Sequence, residues 1–505
     1  MLNKLQADNS ITREYVWLFL ILLIIFALRL PILHITVIDW DESVYFKIAQ
    51  DIVHGGVPYQ TSWDTKGPFL FFIFVPIILL FDDSIPALRV YTTLYLLLSV
   101  FFVYLLARKF FRGFACVIPP LIYGLFFITP EFGGFASNGE LFMMLPVILA
   151  LLCFLNYEDK GKLAILFLGG LFSAVAFFMK ATAIFSVLVV PLFIIYRNLK
   201  PGSPDFKSFF KEAVCYSLGF AAVVITLTLY FGIHGAIHDF YYTYFVVNNK
   251  YTSVVPVKDV FFYLYYFLYG TILVNHDLIT LLAIAFSILI LIYLVRKKFE
   301  KEEKEKLLFL IALAVLSFVG VLWGRRMYPH YYLQMSLPYS LLIALGISKL
   351  GLNRRYVEAF IIVIFVAFMI QSPVTQAVKD MKSTDEEWFE SGASYEVAEY
   401  IKNNTSKDDT VLLIGGQPII YFLADRRAPI KHFWWPKHQV IMQEILNLKD
   451  SVPRELTNNK PEYVVFYDGK HEEEINHLDY LDKFINDNYS LEKEIDGYKF
   501  YRVKN

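Results

Sequence analysis

The sequence predicts a polytopic α-helical membrane protein that ends in a small extracytoplasmic α/β domain. Three observations lead there. The 505 residues are 57% hydrophobic with a mean hydropathy of +0.49, more apolar than a soluble enzyme of this size. Apolar runs of bilayer-spanning length recur along residues 1–371 and give about eleven spans. Residues 385–505 lose that character and read as short helices and strands.

Composition narrows the class further. Aromatic residues make up 18%, and many of the 34 Tyr and 48 Phe lie beside apolar runs, as interfacial belts do. A net charge of -1 gives no basic excess and implies no nucleic-acid partner. Cys116, Cys153 and Cys215 all fall within apolar runs, which predicts packed thiols rather than a disulfide framework. The N-terminal stretch leads into a long apolar run without a small-residue cleavage site, so it reads as an uncleaved first span.

In chain order, the runs are 15–37, 85–107, 114–129, 140–157, 163–179, 181–196, 213–233, 278–295, 307–323, 331–349 and 356–371. A shorter run, 69–81, contains Pro76 and has the length of an interfacial or re-entrant helix. The positive-inside rule decides its place. If 69–81 does not span, the basic connections 108–112, 197–211, 296–306 and 349–355 all share the side of the N-terminus. The external side then carries loop 38–84, segment 129–140, Lys180, loop 234–277, segment 324–330, a linker at 372–384 and the α/β domain 385–505. In that domain 397–401 reads as helix, and 410–414, 463–467 and 498–503 read as strands.

The polar island 38–68 follows the first span and holds the adjacent carboxylates Asp41 and Glu42. Charge at a membrane boundary is expensive and usually functional. Val44, Tyr45, Ile48, Ala49 and Ile52 share one helical face, with Gly55-Gly56 as the stop. Asp41 therefore lies at or near a helix N-terminus, where a carboxylate also serves as a cap. Both roles remain open and are compatible.

Lys66, Lys180, Arg325, Arg326 and His330 are cations at external span boundaries, with Arg29 a turn or two inside the first span. Snorkelling to headgroups is the plain reading. Yet external cations are scarce, and a set of them near carboxylates suits an anionic headgroup such as a phosphate. Glu140 opens a span, either complementing the helix dipole or serving as a further acidic group. His234 and His238 have i, i+4 spacing, but no third ligand accompanies them, and no metal or cofactor is expected.

These residues, in this order, resemble the GT-C membrane glycosyltransferases of the protein-mannosyltransferase type (family 39) and the lipid A aminoarabinose transferases (family 83). Asp41-Glu42 matches their Asp-Glu pair, and Arg89 opens the next span as theirs does. Lys66 matches their Lys-Pro-Pro segment with Gly67 replacing one proline, and Glu140 their second acidic position. Met179-Lys180-Ala181 is similar to their Thr-Lys-Gly step, and 325–331 to their Arg-x-x-x-x-His-Tyr segment.

The resemblance implies the GT-C fold and an inverting transfer of a sugar from a polyprenyl-phosphate donor to a hydroxyl of a protein, lipid or glycan. It implies Asp41 as the base, Glu42 or Glu140 as orienting groups, and the cations as phosphate ligands. It also places the enzyme in the plasma (inner) membrane with its active site outside. The rival classes are a flippase of lipid-linked sugars, which predicts inverted repeats and charged midplane helices, and a non-catalytic assembly protein.

Overall fold

The computed structural model describes residues 2–199, 202–269, 301–349, 393–434, 444–467 and 479–504. It is mostly helical, as an integral multi-pass membrane protein must be where no water satisfies the backbone. Among the described residues, five helices are long and apolar enough to cross a bilayer: Arg13–Ile32, Ile85–Phe110, Gly139–Lys160, Phe206–Ile233 and Glu303–Trp323. Shorter apolar helices occupy Gly113–Phe126, Leu163–Met179 and Ala183–Asn198. The run at 331–349 forms a 3-10 turn, Pro329–Met335, and the helix Ser336–Lys349. The runs 278–295 and 356–371 and the linker 372–384 lie outside the described residues. The run at 69–81 breaks into two short helices, Pro68–Phe72 and Val75–Phe81, and falls short of a span.

The chain divides into two compact units. The first takes residues 1–33, 90–227 and 255–382. Its spans pack by the rules of apolar solvent, where close approach and a few polar contacts replace the hydrophobic effect. A Cβ at Gly170 would strike the carbonyl oxygen of Tyr216, and one at Gly219 would strike that of Phe167. Glycine at both positions thus lets two helix backbones touch. Gln334 donates to the Thr182 carbonyl at 3.0 Å and to the Ser186 hydroxyl at 2.9 Å, tying the 329–335 turn to the start of the 183–198 helix.

The second unit takes residues 34–89, 228–254 and 383–505. Segments that the sequence assigns to two external loops and a separate tail therefore cluster as one body. The tail contains a four-stranded sheet in the order β1-β2-β4-β3, with β1 Val411–Ile414, β2 Tyr463–Tyr467, β3 Tyr489–Ile495 and β4 Tyr498–Val503. β1 and β2 are parallel and the other pairs antiparallel. β1 is buried along its length, which explains its continuous apolar run. Leu412, Ile414 and Val464 pack with Leu448, Val452 and Leu456 of helix Leu448–Asn458 and Leu481 and Ile485 of helix Asp479–Asn488.

Strand β3 was not legible from apolar alternation, because Glu492, Lys493 and Glu494 follow one another in it and all are exposed. It is an edge strand, and charge there discourages pairing with another chain. It reaches β4 through Asp496-Gly497, both with positive φ, 45° and 78°, the backbone of a tight two-residue hairpin.

Helix Trp40–Val53 runs through the second unit buried on nearly all sides, not on the single face its periodicity marks. Phe46 meets Phe74 and Phe422 with ring centroids at 5.0 and 6.0 Å, and Gln50 donates to the Phe422 carbonyl at 2.9 Å. Lys47 is compensated inside this packing by Asp51 at 2.7 Å. The helix ends at His54 and turns at Gly55, whose φ of +83° requires glycine.

Candidate active site

In the second unit the first acidic residue of the island sets the geometry. Asp39, with extended backbone, is the N-cap of helix Trp40–Val53, and its carboxylate accepts the Asp41 N–H at 2.9 Å. Asp41 is thus in the first turn, and the capping role weighed for it belongs to Asp39. Glu42, three residues after the cap, reaches back to accept the Ile38 N–H at 2.7 Å. This is the reciprocal arrangement of a capping box, displaced by one residue. The Asp-x-x-Glu spacing carried that signal in the sequence.

The two carboxylates of the Asp-Glu pair then part company. Glu42 is fully buried against Arg89, whose guanidinium donates to both carboxylate oxygens at 2.5 and 2.6 Å and also to the carbonyls of Ile35 and Thr36. Asp41 stays partly exposed and pairs with Lys66, Nζ to Oδ2 at 2.9 Å. The Tyr45 hydroxyl donates to the same oxygen at 3.1 Å.

Lys66 is held by its backbone as well. Its N–H is accepted by Asp64 at 2.8 Å and its carbonyl takes the Tyr59 hydroxyl at 2.7 Å. Tyr59 is fully buried with a φ of 69°, a left-handed conformation that costs energy for a non-glycine residue. Trp63 donates to the Thr243 hydroxyl at 3.1 Å and Asn248 to the Thr65 carbonyl at 3.1 Å. The loop bearing Lys66 is therefore fixed from several sides.

Electrostatics in this grouping are tense. Burial, and then the charge of Asp41, push the Asp39 carboxyl up to about 7. Burial pushes Asp64 up to about 6, against the pull of the Lys66 ammonium. Close carboxylates around one lysine cannot all hold full charge at no cost.

The first unit carries its own grouping. Glu140 sits in the first turn of helix Gly139–Lys160, and Lys180 follows helix Leu163–Met179. Their side chains form a buried ion pair. The Lys180 ammonium also lies 4.3 Å from the centre of the Tyr331 ring, a cation–π distance. His330 is edge-on to Tyr331, with centroids 4.9 Å apart, and stacked on Tyr328 at 5.7 Å. Arg325 and Met327 both have positive φ, 57° and 50°, and Arg325 donates to the Val255 carbonyl at 3.0 Å.

Arg29 stands apart from these. It is fully buried and donates to the carbonyls of Phe127, Gly134 and Phe135 at 2.7, 3.0 and 2.7 Å, and to Thr93 at 3.2 Å. Its guanidinium shapes the 127–135 segment. His238 stacks on Tyr242, and Asp239 pairs with Lys431 at 2.8 Å. Among the described residues no cluster of three metal-ligating side chains occurs.

Sequence reasoning missed Asp39, Tyr45, Tyr59, Asp64 and Tyr331. Asp39 had the capping-box spacing as a signal. Tyr45 and Tyr331 lay within stretches the sequence did mark, the acidic helix and 325–331, while Tyr59 and Asp64 carried no recognisable pattern.

Residues 65–231 match the family described as dolichyl-phosphate-mannose-protein mannosyltransferase. The fold resembles the crystal structure of ArnT from Cupriavidus metallidurans, bound to undecaprenyl phosphate and in the apo state. In each case the TM-score is 0.56 at 12% identity, covering 97% of this chain and 98% of that chain. The apo oligosaccharyltransferase of Archaeoglobus fulgidus is also similar, at TM-score 0.46 and 14% identity over 89% of this chain and 69% of that chain. No curated protein matches by sequence. The likeness to ArnT establishes the shared fold, mostly helical and multi-span with a small C-terminal mixed sheet.

Proposed function

We propose that this chain transfers a sugar from a polyprenyl-phosphate donor to an acceptor hydroxyl at the outer face of the plasma membrane, with inversion at the anomeric carbon. The observation that carries the reading is the Asp41–Lys66 pair, a partly exposed carboxylate and ammonium 2.9 Å apart, held on a capped helix just after the first span. It is supported by the fold shared with ArnT, whose structure holds undecaprenyl phosphate.

In this reading Asp41 accepts the proton of the acceptor hydroxyl. The freed oxygen attacks the anomeric carbon, which passes through an oxocarbenium-like state. The bond from that carbon to the phosphate oxygen breaks, and the polyprenyl phosphate leaves with the electron pair. Lys66 in the second unit, and Lys180, Arg325, Arg326 and His330 in the first, are each cations suited to an anionic phosphate, whose stabilisation removes the need for a general acid. Glu140 pairs with Lys180, and Glu42 with Arg89 fixes the turn from which Asp41 projects. Acceptors are a protein, lipid or glycan hydroxyl.

The test is Asp41→Asn in proteoliposomes supplied with labelled polyprenyl-phosphate sugar, with donor binding measured separately. Asparagine preserves size, and the helix keeps its cap on Asp39. Transfer is expected to fall by about 10²–10⁴-fold with donor binding retained. Parent-like turnover would reject Asp41 as the base.

A further inference from the structure

We infer that Asp64 is a positioning residue for the transfer, a second counter-ion that draws Lys66 off Asp41 and leaves that carboxylate open to the acceptor's proton. The inference rests on the reading of Asp41 as the base. In the structure the Lys66 ammonium stands between two carboxylates, 2.9 Å from Asp41 Oδ2 and 4.0 Å from Asp64 Oδ1. The two partners differ in exposure. Asp41 is partly open, whereas the Asp64 side chain is almost wholly buried.

That difference has a chemical consequence. An ammonium locked on Asp41 would favour its charged form and weaken it as a proton acceptor. A buried carboxylate is costly unless compensated, so Asp64 attracts the same ammonium from the other side. The carboxyl of Asp64, pushed up to about 6 by burial and pulled back by Lys66, is consistent with this competition. When Asp41 takes the proton, its hold on Lys66 disappears, and Asp64 keeps the cation charged and in place for the departing phosphate.

The geometry also limits how far Lys66 moves. Asp64 accepts the Lys66 N–H and Tyr59 donates to its carbonyl, so only the side chain swings. The other titratable groups around the pair are Asp39, Glu42 and Tyr45 on the acidic helix, Arg89 on Glu42, and Tyr59 beside Tyr244. Burial raises Tyr45, Tyr59 and Tyr244 well above the usual tyrosine range, so these phenols stay neutral. Asp39, up at about 7, remains in all variants below, and the loss of its coupling to Lys66 is common to the Lys66→Ala and double variants.

The experiment compares pH profiles of transfer for the full-length parent, Asp64→Asn, Lys66→Ala and the double variant in proteoliposomes. Asparagine still accepts the Lys66 N–H, so the loop shape is kept while the charge is lost. For Asp64→Asn, kcat is expected to fall at least tenfold with donor KM unchanged, and the acid limb to move down by about one pH unit. In the Lys66→Ala background the same substitution should not move the limb. A parent-like profile for Asp64→Asn, or a shift that persists without Lys66, overturns the proposal. Should Asp64→Asn fail to accumulate, Asp64→Glu is read instead: a carboxylate carried on one more methylene meets Lys66 from a changed position and should displace the limb, and a parent profile overturns the proposal. The Asp41→Asn variant separates the two levels. If it turns over normally, the base assignment fails; if it is inactive while Asp64→Asn is normal, only this inference fails.

Discussion

Arg89 and Glu42, 47 residues apart in sequence, meet in a fully buried two-pronged ion pair with both carboxylate oxygens engaged. One member of the acidic pair after the first span is thereby part of the framework. Its neighbour Asp41, one residue earlier, remains partly exposed beside Lys66. The contrast gives the adjacent carboxylates different tasks.

Breaking the buried pair on one side should therefore cost folding before chemistry. Glu42→Gln and Arg89→Ala each leave one group uncompensated, and a loss of about 3–5 kcal/mol is expected. The check is the apparent melting midpoint in detergent, together with the yield of folded protein. If Glu42→Gln melts like the parent yet abolishes transfer, Glu42 acts in the reaction itself.

The two lysines should show in donor handling. Loss of one charge-assisted bond to phosphate is worth about 1.5–3 kcal/mol, so Lys66→Ala and Lys180→Ala should each weaken donor binding by roughly 10- to 150-fold. For Lys180→Ala, Glu140 is also left buried without its partner, and Glu140→Gln in the same chain should recover stability without recovering binding. Parent-like donor affinity in both variants would reduce the lysines to headgroup contacts.

Stability should depend on pH in a direction unusual for a carboxylate. The Asp39 carboxyl, at about 7 in the folded protein against an ordinary 3.8, binds its proton more tightly when folded. Between those values the folded state holds more protons than the unfolded one, so stability falls as pH rises through about 4 to 7 and levels above. Asp64, at about 6, adds to the lower part of the window. Melting midpoints from pH 4 to 8 should decline in the parent and flatten in Asp39→Asn, which keeps the cap. A midpoint that rises with pH across this range would contradict the assignment.

The basic connections lead us to expect the tail outside, and the expectation is directly measurable. A cysteine placed at Asn458, at the end of helix Leu448–Asn458, should react with an impermeant maleimide in intact cells. Labelling only after permeabilisation would reverse the orientation.

The sequence by itself determined the membrane class, five of the eleven runs as helices of spanning length, and the strands read at 410–414, 463–467 and 498–503, because hydropathy and periodicity are local properties. It also marked the acidic helix and its glycine stop, since capping and turn signals are written within a few residues. Tertiary structure alone decided which carboxylate is buried in an ion pair. Asp41 and Glu42 are neighbours with identical charge, and only Arg89, arriving from the next span, separates them. Likewise nothing local reveals that Asp64 flanks Lys66 against Asp41, or that Phe422 packs on Phe46 and accepts from Gln50. Those contacts join residues up to 372 positions apart, and burial in that packing is what raises the carboxyls of Asp39 and Asp64. Charge type is fixed by the chain, but the cost of holding a charge depends on what the fold places around it.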